Sequence, residues 1–490
     1  MSGQSSPAAG PHLAERAAPS ASFARVVVPL VGIEILATLE TIMAFIAVPT
    51  FMRAFEVDAV AAGWTASAYL LVGAASAAIS GRLGDMFGRR RILITVLAIS
   101  LVGSLISLFA PALWVLVAGR ALQGCAAGAL PLCFALVREL VPAERVPLGI
   151  SLVVGAVALV SGFGSLLGGV LIDLGGWRTI FIAASIAGLL ATVLVAIAVP
   201  RTPGMVPRPR VDVIGGVLLV PACAGLLLGA SFGKDRGWGD PLVLGLLAVG
   251  VAAFAFWVFW ERRTAEPMVH LELFRHRKIV LTTIATIGVG TAMMGATALL
   301  MPLVMQLPAA GEVGIGLSPT SAGLVMLASA FFGYAAVAVA GRLAQRYGGR
   351  PILVIAFALG ILAALLWIGL HKSAPGTAVV IALNTAATAV ASAALPTLLV
   401  EVVPEANTGE ATGMNRLTLN ISVAVGLSLA ALLLTAFSAG AGSHAPTEAG
   451  LTTALLAISA VEAVGIVLAL ATGSQNKAAR RLTLVEGTST

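Results

Sequence analysis

The chain has 490 residues, of which 59% are hydrophobic and 10% charged, with a formal net charge of +7 and a mean hydropathy of +1.02. A soluble domain carries about 25% charged residues, so this composition excludes an ordinary globular enzyme, a disordered protein and a nucleic-acid binder. The three cysteines (Cys125, Cys133, Cys223) lie in apolar stretches and cannot build a disulfide framework.

A helix crossing a hydrocarbon core about 30 Å thick needs ~20 apolar residues. Fourteen stretches meet that need: 26–50, 63–80, 91–110, 113–138, 147–172, 178–199, 212–232, 241–260, 279–306, 317–340, 351–370, 376–398, 412–437 and 450–472. Each is apolar throughout, without period-2 alternation, so each is expected to be a helix whose backbone bonds close within the segment. The fold class expected is an all-α integral membrane protein with 14 transmembrane helices. Residues 1–25 and 473–490 read as polar, disordered tails, and the first apolar run has no cleavage site behind it and is expected to stay as the first span. With both termini on one side, that side collects 22 of the 29 basic residues, against five outside (Arg53, Arg178, Lys234, Arg236, Lys372) and two within spans (Arg120, Arg416). The positive-inside rule then makes the termini cytoplasmic. The abundance of Ala, Gly, Val and Leu, and of Arg over Lys, hints at a GC-rich bacterial genome, hence a bacterial inner membrane.

The loop after span 2, Gly81 to Arg91, reappears after span 10 as Gly341 to Pro351, an offset of 341 − 81 = 260 residues. Each follows the second helix of a six-helix set on the basic side. The chain therefore divides into an N-terminal half (26–200), an inserted helix pair with its flanking loops (201–277) and a C-terminal half (278–472). Parallel halves related by an axis along the membrane normal are one repeat plan of secondary transporters.

These residues resemble the major facilitator superfamily, and within it the fourteen-helix drug–proton antiporter branch. Gly81-Arg82-Leu83-Gly84-Asp85 through Gly88-Arg89-Arg90-Arg91 is similar to the superfamily's loop between helices 2 and 3. Arg120-Ala121-Leu122-Gln123-Gly124 resembles its helix-4 motif. Leu39-Glu40-Thr41 with Ala47-Val48-Pro49 resembles the branch's helix-1 motif, with Glu40 where Asp is usual. Trp64, Tyr69-Leu70-Leu71 and Trp177-Arg178 look like its entries to helices 2 and 6. In the helix-5 motif the glycines Gly164, Gly168 and Gly169 are present, but Ser165 stands where the branch has a helix-bending Pro. The resemblance implies alternating access, proton coupling through Arg120, and a gate in the Gly81–Arg91 loop that latches the two halves.

Ionisable residues inside a bilayer are costly and are functional candidates by default. Glu40 lies about 21 Å into span 1, where a desolvated carboxyl could exchange a proton for a cationic substrate. The bland alternative is a carboxyl bonded between helices. Glu34 lies six residues earlier, about 120° around the helix, and is a second candidate or a partner for a polar neighbour. Arg120 keeps its charge and needs a carboxylate, carbonyls or water. A fixed cation near Glu40 links that carboxyl's proton affinity to conformation, and Gln123, at i+3, shares the face. Gly81, Asp85, Gly88 and Arg89, with Gly341 and Arg342 in the repeat, are expected to form the gate. Asn384, Asn415, Arg416 and Asn420 are candidates for lining the cavity. Glu462, near the middle of span 14, reads as structural or lipid-adjacent. No metal site, nucleophile constellation, cofactor motif or nucleotide-binding phosphate loop is found.

The expected function is proton-coupled export of amphipathic or cationic compounds, its partners a small-molecule substrate, protons and the bilayer, acting as a monomer. The alternatives are a dedicated exporter of one metabolite, siderophore or antibiotic, an uptake symporter or facilitator, and a non-transporting scaffold, against which the buried Glu40 and Arg120 argue.

Overall fold

The computed structural model describes residues 23–202, 213–264, 277–400, 408–436 and 446–471. The tails 1–25 and 473–490 fall almost wholly outside them, as does the side chain of Arg416. Among the described residues the chain is helical, in this order: α1 (Phe23–Phe55), α2 (Ala59–Phe87), α3 (Arg89–Leu108), α4 (Leu113–Leu140), α5 (Val146–Gly175), α6 (Arg178–Ala198), α7 (Val213–Arg236), α8 (Pro241–Glu261), α9 (Arg277–Gly288 continuing to Gln306), α10 (Pro319–Tyr347), α11 (Gly349–Leu370), α12 (Ala374–Val400), α13 (Thr408–Ala436) and α14 (Glu448–Ala471). Eleven of the described helices are long and apolar enough to cross a membrane. Gly162–Gly175, Val220–Gly229 and Thr418–Leu434 are shorter apolar stretches, in α5, α7 and α13. Large apolar side chains such as Phe109, Leu174, Ile197, Phe331 and Val467 face outward, as a lipid solvent demands.

The 260-residue repeat is physical. Gly88 and Gly348 both sit at positive φ (+95° and +82°), and each donates its N–H to a carbonyl four residues back, Gly84 O and Ala344 O, both at 2.8 Å. A left-handed turn of this kind favours glycine. Two residues on, Arg90 donates to Ala196 O at the end of α6, and Arg350 donates to Leu470 O at the end of α14 (2.6 Å). Each guanidinium thus satisfies an orphan carbonyl at the negative end of a helix.

The halves meet as a two-fold relation requires. α2 packs on α13, and α10 packs on α5, so the second helix of each half meets the fifth of the other. Ser67 and Ser428 hydroxyls are 3.3 Å apart across the first contact. In the second, Asp173 Oδ2 accepts from Thr320 N at 2.9 Å, and Gly169 lies against the backbone of Pro319. On the axis itself, Gln306 Nε2 donates to Ile46 O at 2.9 Å, two residues related by the repeat offset, 306 − 46 = 260. The inserted pair α7–α8 packs on itself and lies beside α2 and α13.

These bonds all sit toward the end away from the basic loops. There one apolar core is shared by both halves, from Met43–Phe51 and Trp64 to Leu299–Met305 and Leu427–Leu434. At the basic end the cores are separate: Val26–Ile33, Leu93–Leu97 and Leu132–Val137 in one half, and Ala285–Met293, Ile352–Phe357 and Ala391–Leu398 in the other. Losing a hydrogen bond costs about 1 kcal/mol, or ~5-fold in an equilibrium constant. Gln306→Leu is therefore expected to raise labelling of a Ser67→Cys reporter by a membrane-impermeant thiol reagent ~5-fold. Equal labelling in both backgrounds would show that this bond does not hold the far end shut.

Candidate functional site

Glu40 and Arg120 come together where α1, α2, α3 and α4 meet. α4 approaches α3 closely because Gly103 and Gly119 face each other, and a Cβ on Gly103 would lie 2.6 Å from Gln123 N. Just past Gln123, α4 tightens into a 3₁₀ stretch, Gly124–Gly128. Its displaced carbonyls are taken by α2: Ser76 Oγ donates to Cys125 O (2.9 Å) and Ser80 Oγ to Gly128 O (2.8 Å). A mid-helix change of pitch of this kind often marks a functional hinge.

Arg120 and Gln123 sit on the turn before that change, 1% and 0% exposed. Arg120 Nε donates to Thr65 O (3.1 Å), and its Nη1 donates to Glu40 O (3.2 Å) and to Gln123 Oε1 (2.8 Å). Its guanidinium also lies 4.5 Å from the centre of the Tyr69 ring, and Tyr69 Oη donates to Ala37 O at 3.2 Å. The charge is thus met by two backbone carbonyls, an amide and an aromatic face rather than by a carboxylate.

The Glu40 carboxyl, 3% exposed, turns toward α3. Ser100 Oγ donates to Oε2 (3.2 Å) and Ser104 Oγ faces Oε1 (3.4 Å). Ser104 has one proton and also reaches Ser100 O (3.1 Å). Gln123 Nε2 donates to Ser104 Oγ at 2.7 Å. Arg120, Gln123, Ser104 and Glu40 thus lie in a row, the guanidinium joined to the carboxyl through two neutral side chains. It lies inside one half, not in the groove between halves. A buried polar network of this kind fixes geometry strongly when every member is satisfied.

Glu34 does not join it. Its carboxyl faces Cys133 of α4, and its Oε1 has no hydrogen-bond partner. The 120° rotation from Glu40 puts the two residues against different neighbours.

The expected gate residues assemble within the N-terminal half. Asp85 Oδ1 accepts from Arg89 Nε (3.0 Å) and Nη2 (2.9 Å) across the break at Gly88. Arg89 Nη1 donates to Ala135 O (3.1 Å) and pairs with Glu139 at 3.0 Å. The pair therefore ties α2 and α3 to the basic end of α4, not to the other half. Gly81 lies by Pro131 of α4; in the repeat, Gly341 continues α10 and Arg342 is exposed. Of the helix-5 glycines, Gly164 and Gly168 pack on α1 at Ile42 and Met43, and Gly169 on α10. With Ser165 in place of Pro, α5 runs unbroken through the motif.

In the C-terminal half, α9 widens into a π-helical stretch, Val289–Ala296. Met293 O then meets three side chains: it accepts from Thr297 Oγ1 (2.5 Å), Thr388 Oγ1 (3.3 Å) and Asn384 Nδ2 (3.4 Å). Asn384 thus bonds between helices, and it also lines a small cavity with Thr297 and Trp367. Asn415 Oδ1 accepts from Thr286 Oγ1 at 2.6 Å, and Asn420 is half-buried on the next turn of α13. Of the structural and lipid-adjacent alternatives for Glu462, burial removes the second: it is 0% exposed and faces Gly360 of α11. Helix rotation decides this, and an evenly apolar helix gives no face to read. Sequence reasoning missed Ser100 and Ser104, since single hydroxyls in apolar runs carry no distinguishing signal, and the backbone carbonyl of Thr65, which no side chain announces; Tyr69 entered only as part of a helix-2 motif. Among the described residues no group of His, Cys, Asp and Glu could hold a metal.

Lysine has no planar fork of donors, so Arg120→Lys is expected to leave at least one of Thr65 O, Glu40 O and Gln123 Oε1 unmet. An unmet buried group costs about 1–3 kcal/mol, which thermal unfolding in detergent would report as a lowered midpoint. An unchanged midpoint would mean that one ammonium satisfies the pocket.

The sequence model of the Major Facilitator Superfamily matches residues 30–315 and 307–484. The chain is 29% identical over 344 residues to the MFS-type transporter Rv1250 of Mycobacterium tuberculosis, covering 69% of this chain and 57% of that protein. It is 32% identical over 288 residues to a uridine/deoxyuridine transporter of Lactococcus lactis, covering 56% of this chain and 57% of that one. The matched region thus spans little more than half the length of each of these curated relatives. Among solved structures, a peptide transporter in complex with sulfate superposes with a TM-score of 0.66 at 15% identity, covering 91% of this chain and 93% of that chain. The xylose transporter XylE from Escherichia coli superposes at 0.57 and 15% identity, covering 91% and 96%. At these identities the structures speak to the fold, and the fold and the family match agree: the chain is a multi-pass membrane protein and belongs to the major facilitator superfamily.

Proposed function

We propose that this transporter exports amphipathic or cationic compounds across the bacterial inner membrane in exchange for protons, with both termini cytoplasmic, fourteen crossings and one chain as the working unit. The observation that carries the reading is the buried chain from Arg120 through Gln123 and Ser104 to Glu40. A carboxyl 3% exposed in the middle of a membrane helix can take and release a proton only when the surrounding helices move. The hinge-like change of pitch after Gln123 gives α4 a place to move. Separate cores at the basic end and a shared core at the other support a carrier caught facing the basic side. Movement of α4 at that change of pitch, as the halves rock, would then expose Glu40 to one side at a time. Exclusive occupancy by a proton or by substrate prevents a leak. The apolar character of the spans suits a greasy, promiscuous pocket.

A second reading is a carrier dedicated to one small molecule, by export or uptake. The similarity to a uridine/deoxyuridine transporter favours it, as does the unbroken α5 with Ser165 where the antiporter motif has Pro.

Purified protein in liposomes under an imposed pH gradient separates these. Lipophilic cations should trigger proton movement, and Glu40→Gln should abolish it while leaving the protein folded. Substrate movement without proton movement would reject antiport; response to nucleosides alone would install the second reading.

A further inference from the structure

The C-terminal half also holds a buried carboxyl, and none of the groups described above uses it. Glu462 is fully buried on α14, and neither of its oxygens has a hydrogen-bond partner. It is seated in a notch that only glycine leaves open: a Cβ on Gly360 of α11 would strike Oε1 and lie 3.0 Å from Oε2. By the repeat, 360 − 260 = 100, so Gly360 stands where Ser100 stands in the N-terminal half. The two halves therefore each press a carboxyl against the same position of their third helix. One carboxyl comes from the first helix and is bonded by serines; the other comes from the sixth and is bonded by none.

The surroundings hold no described counter-charge. On the helices packed against α14, Arg350 is engaged with Leu470 O, and His371 and Lys372 lie beyond the far end of α11. Arg277 begins α9, and Glu448 begins α14 and pairs with Lys372. On α13, the side chains of Glu410 and Arg416 lie outside the described residues. One helical turn from Glu462, at Ile458 on its own helix and Ala364 on α11, begins a cavity of about 10 Å³ bounded by Thr297, Asn384 and Trp367. That is close to the space one water needs, and a buried water needs polar partners. The cavity has them in Thr297, Asn384 and the indole N–H of Trp367, which has no partner.

We propose that Glu462 is a second proton-binding site, seated in the C-terminal half and reached by water through the Thr297–Asn384–Trp367 cavity. The chemistry is a single protonation, one carboxylate oxygen and one proton giving one carboxyl, and substrate is not involved. Its use in transport rests on the proton-coupled reading above; its existence does not. In the N-terminal half the carboxyl is tied by a network to a fixed cation. In the C-terminal half it stands alone, one helical turn from a cavity with polar walls, so it exchanges protons independently of Arg120.

Infrared spectroscopy of the full chain in liposomes tests this without any transport. Wild type should show a carbonyl stretch of a protonated carboxyl free of hydrogen bonds, absent in Glu462→Gln, that shifts in D2O and is lost as pH is raised. Asn384→Leu, which fills the cavity, should keep the band and slow its exchange by about tenfold. Superimposable spectra of wild type and Glu462→Gln would overturn the site. So would a band that neither exchanges nor titrates, because the carboxyl would then be a fixed structural group. In the transport assay, protons moved per substrate should fall in Glu462→Gln while substrate-triggered release persists. An unchanged ratio would overturn the role in transport. Absence of proton movement in wild type would overturn the coupled reading and leave the infrared result to stand or fall by itself.

Discussion

A guanidinium that cannot lose its proton sits in the middle of an apolar helix bundle, and the N-terminal half is arranged around that fact. Leaving a buried group beside such a charge without its hydrogen bond costs about 1–3 kcal/mol, so Arg120 dictates what lies near it. Thr65 and Glu40 supply carbonyls, Gln123 an amide oxygen and Tyr69 a ring face. Those partners come from α1, α2 and α4, and they reach only because small residues let the helices close. Gly103 meets Gly119 between α3 and α4, and Gly124 meets the Tyr69 backbone between α4 and α2. The positions of Glu40 and its serines follow from the same close packing.

The second constraint is the repeat. Because α2 meets α13 and α10 meets α5, the halves are joined by two equivalent contacts and one axial contact, Gln306 to Ile46. Two contacts placed symmetrically about an axis can rock without breaking the halves themselves. Each half is held rigid internally by its own devices, such as the Arg90 and Arg350 clasps on helix ends and the Arg89 tie from α2 to α4. The Asp85–Arg89 pair, expected as a latch between halves, serves here as a brace within one. That agrees with the separate cores at the basic end.

Much of this was legible because lipid punishes charge. Glu34, Glu40, Arg120 and Glu462 stand out in apolar runs, and the duplicated glycine–arginine loop announces two halves. What was not legible depends on helix rotation and pitch. Nothing in the alternation of Ala, Leu and Val on α14 says that Glu462 faces Gly360 and not lipid. Ser100 and Ser104 look like any hydroxyls that return a bond to their own helix, until α3 is turned toward Glu40. The π-helical stretch that offers Met293 O to Thr297, Thr388 and Asn384 has no composition of its own. The fourteen apolar stretches compare with eleven helices that satisfy length and apolarity along their described residues, because the described side chains cover only part of α5, α7 and α13.

We propose that Arg120 acts on Glu40 through Gln123 and Ser104 and not by direct ion pairing. Replacing Gln123 by Leu leaves both charged residues in place and cuts the chain between them. Simultaneous measurement of proton and substrate flux in proteoliposomes should then show the two uncoupled, with substrate moving down its gradient and proton release no longer triggered by it. Fully coupled exchange in Gln123→Leu would show that Arg120 does not act on Glu40 through Gln123.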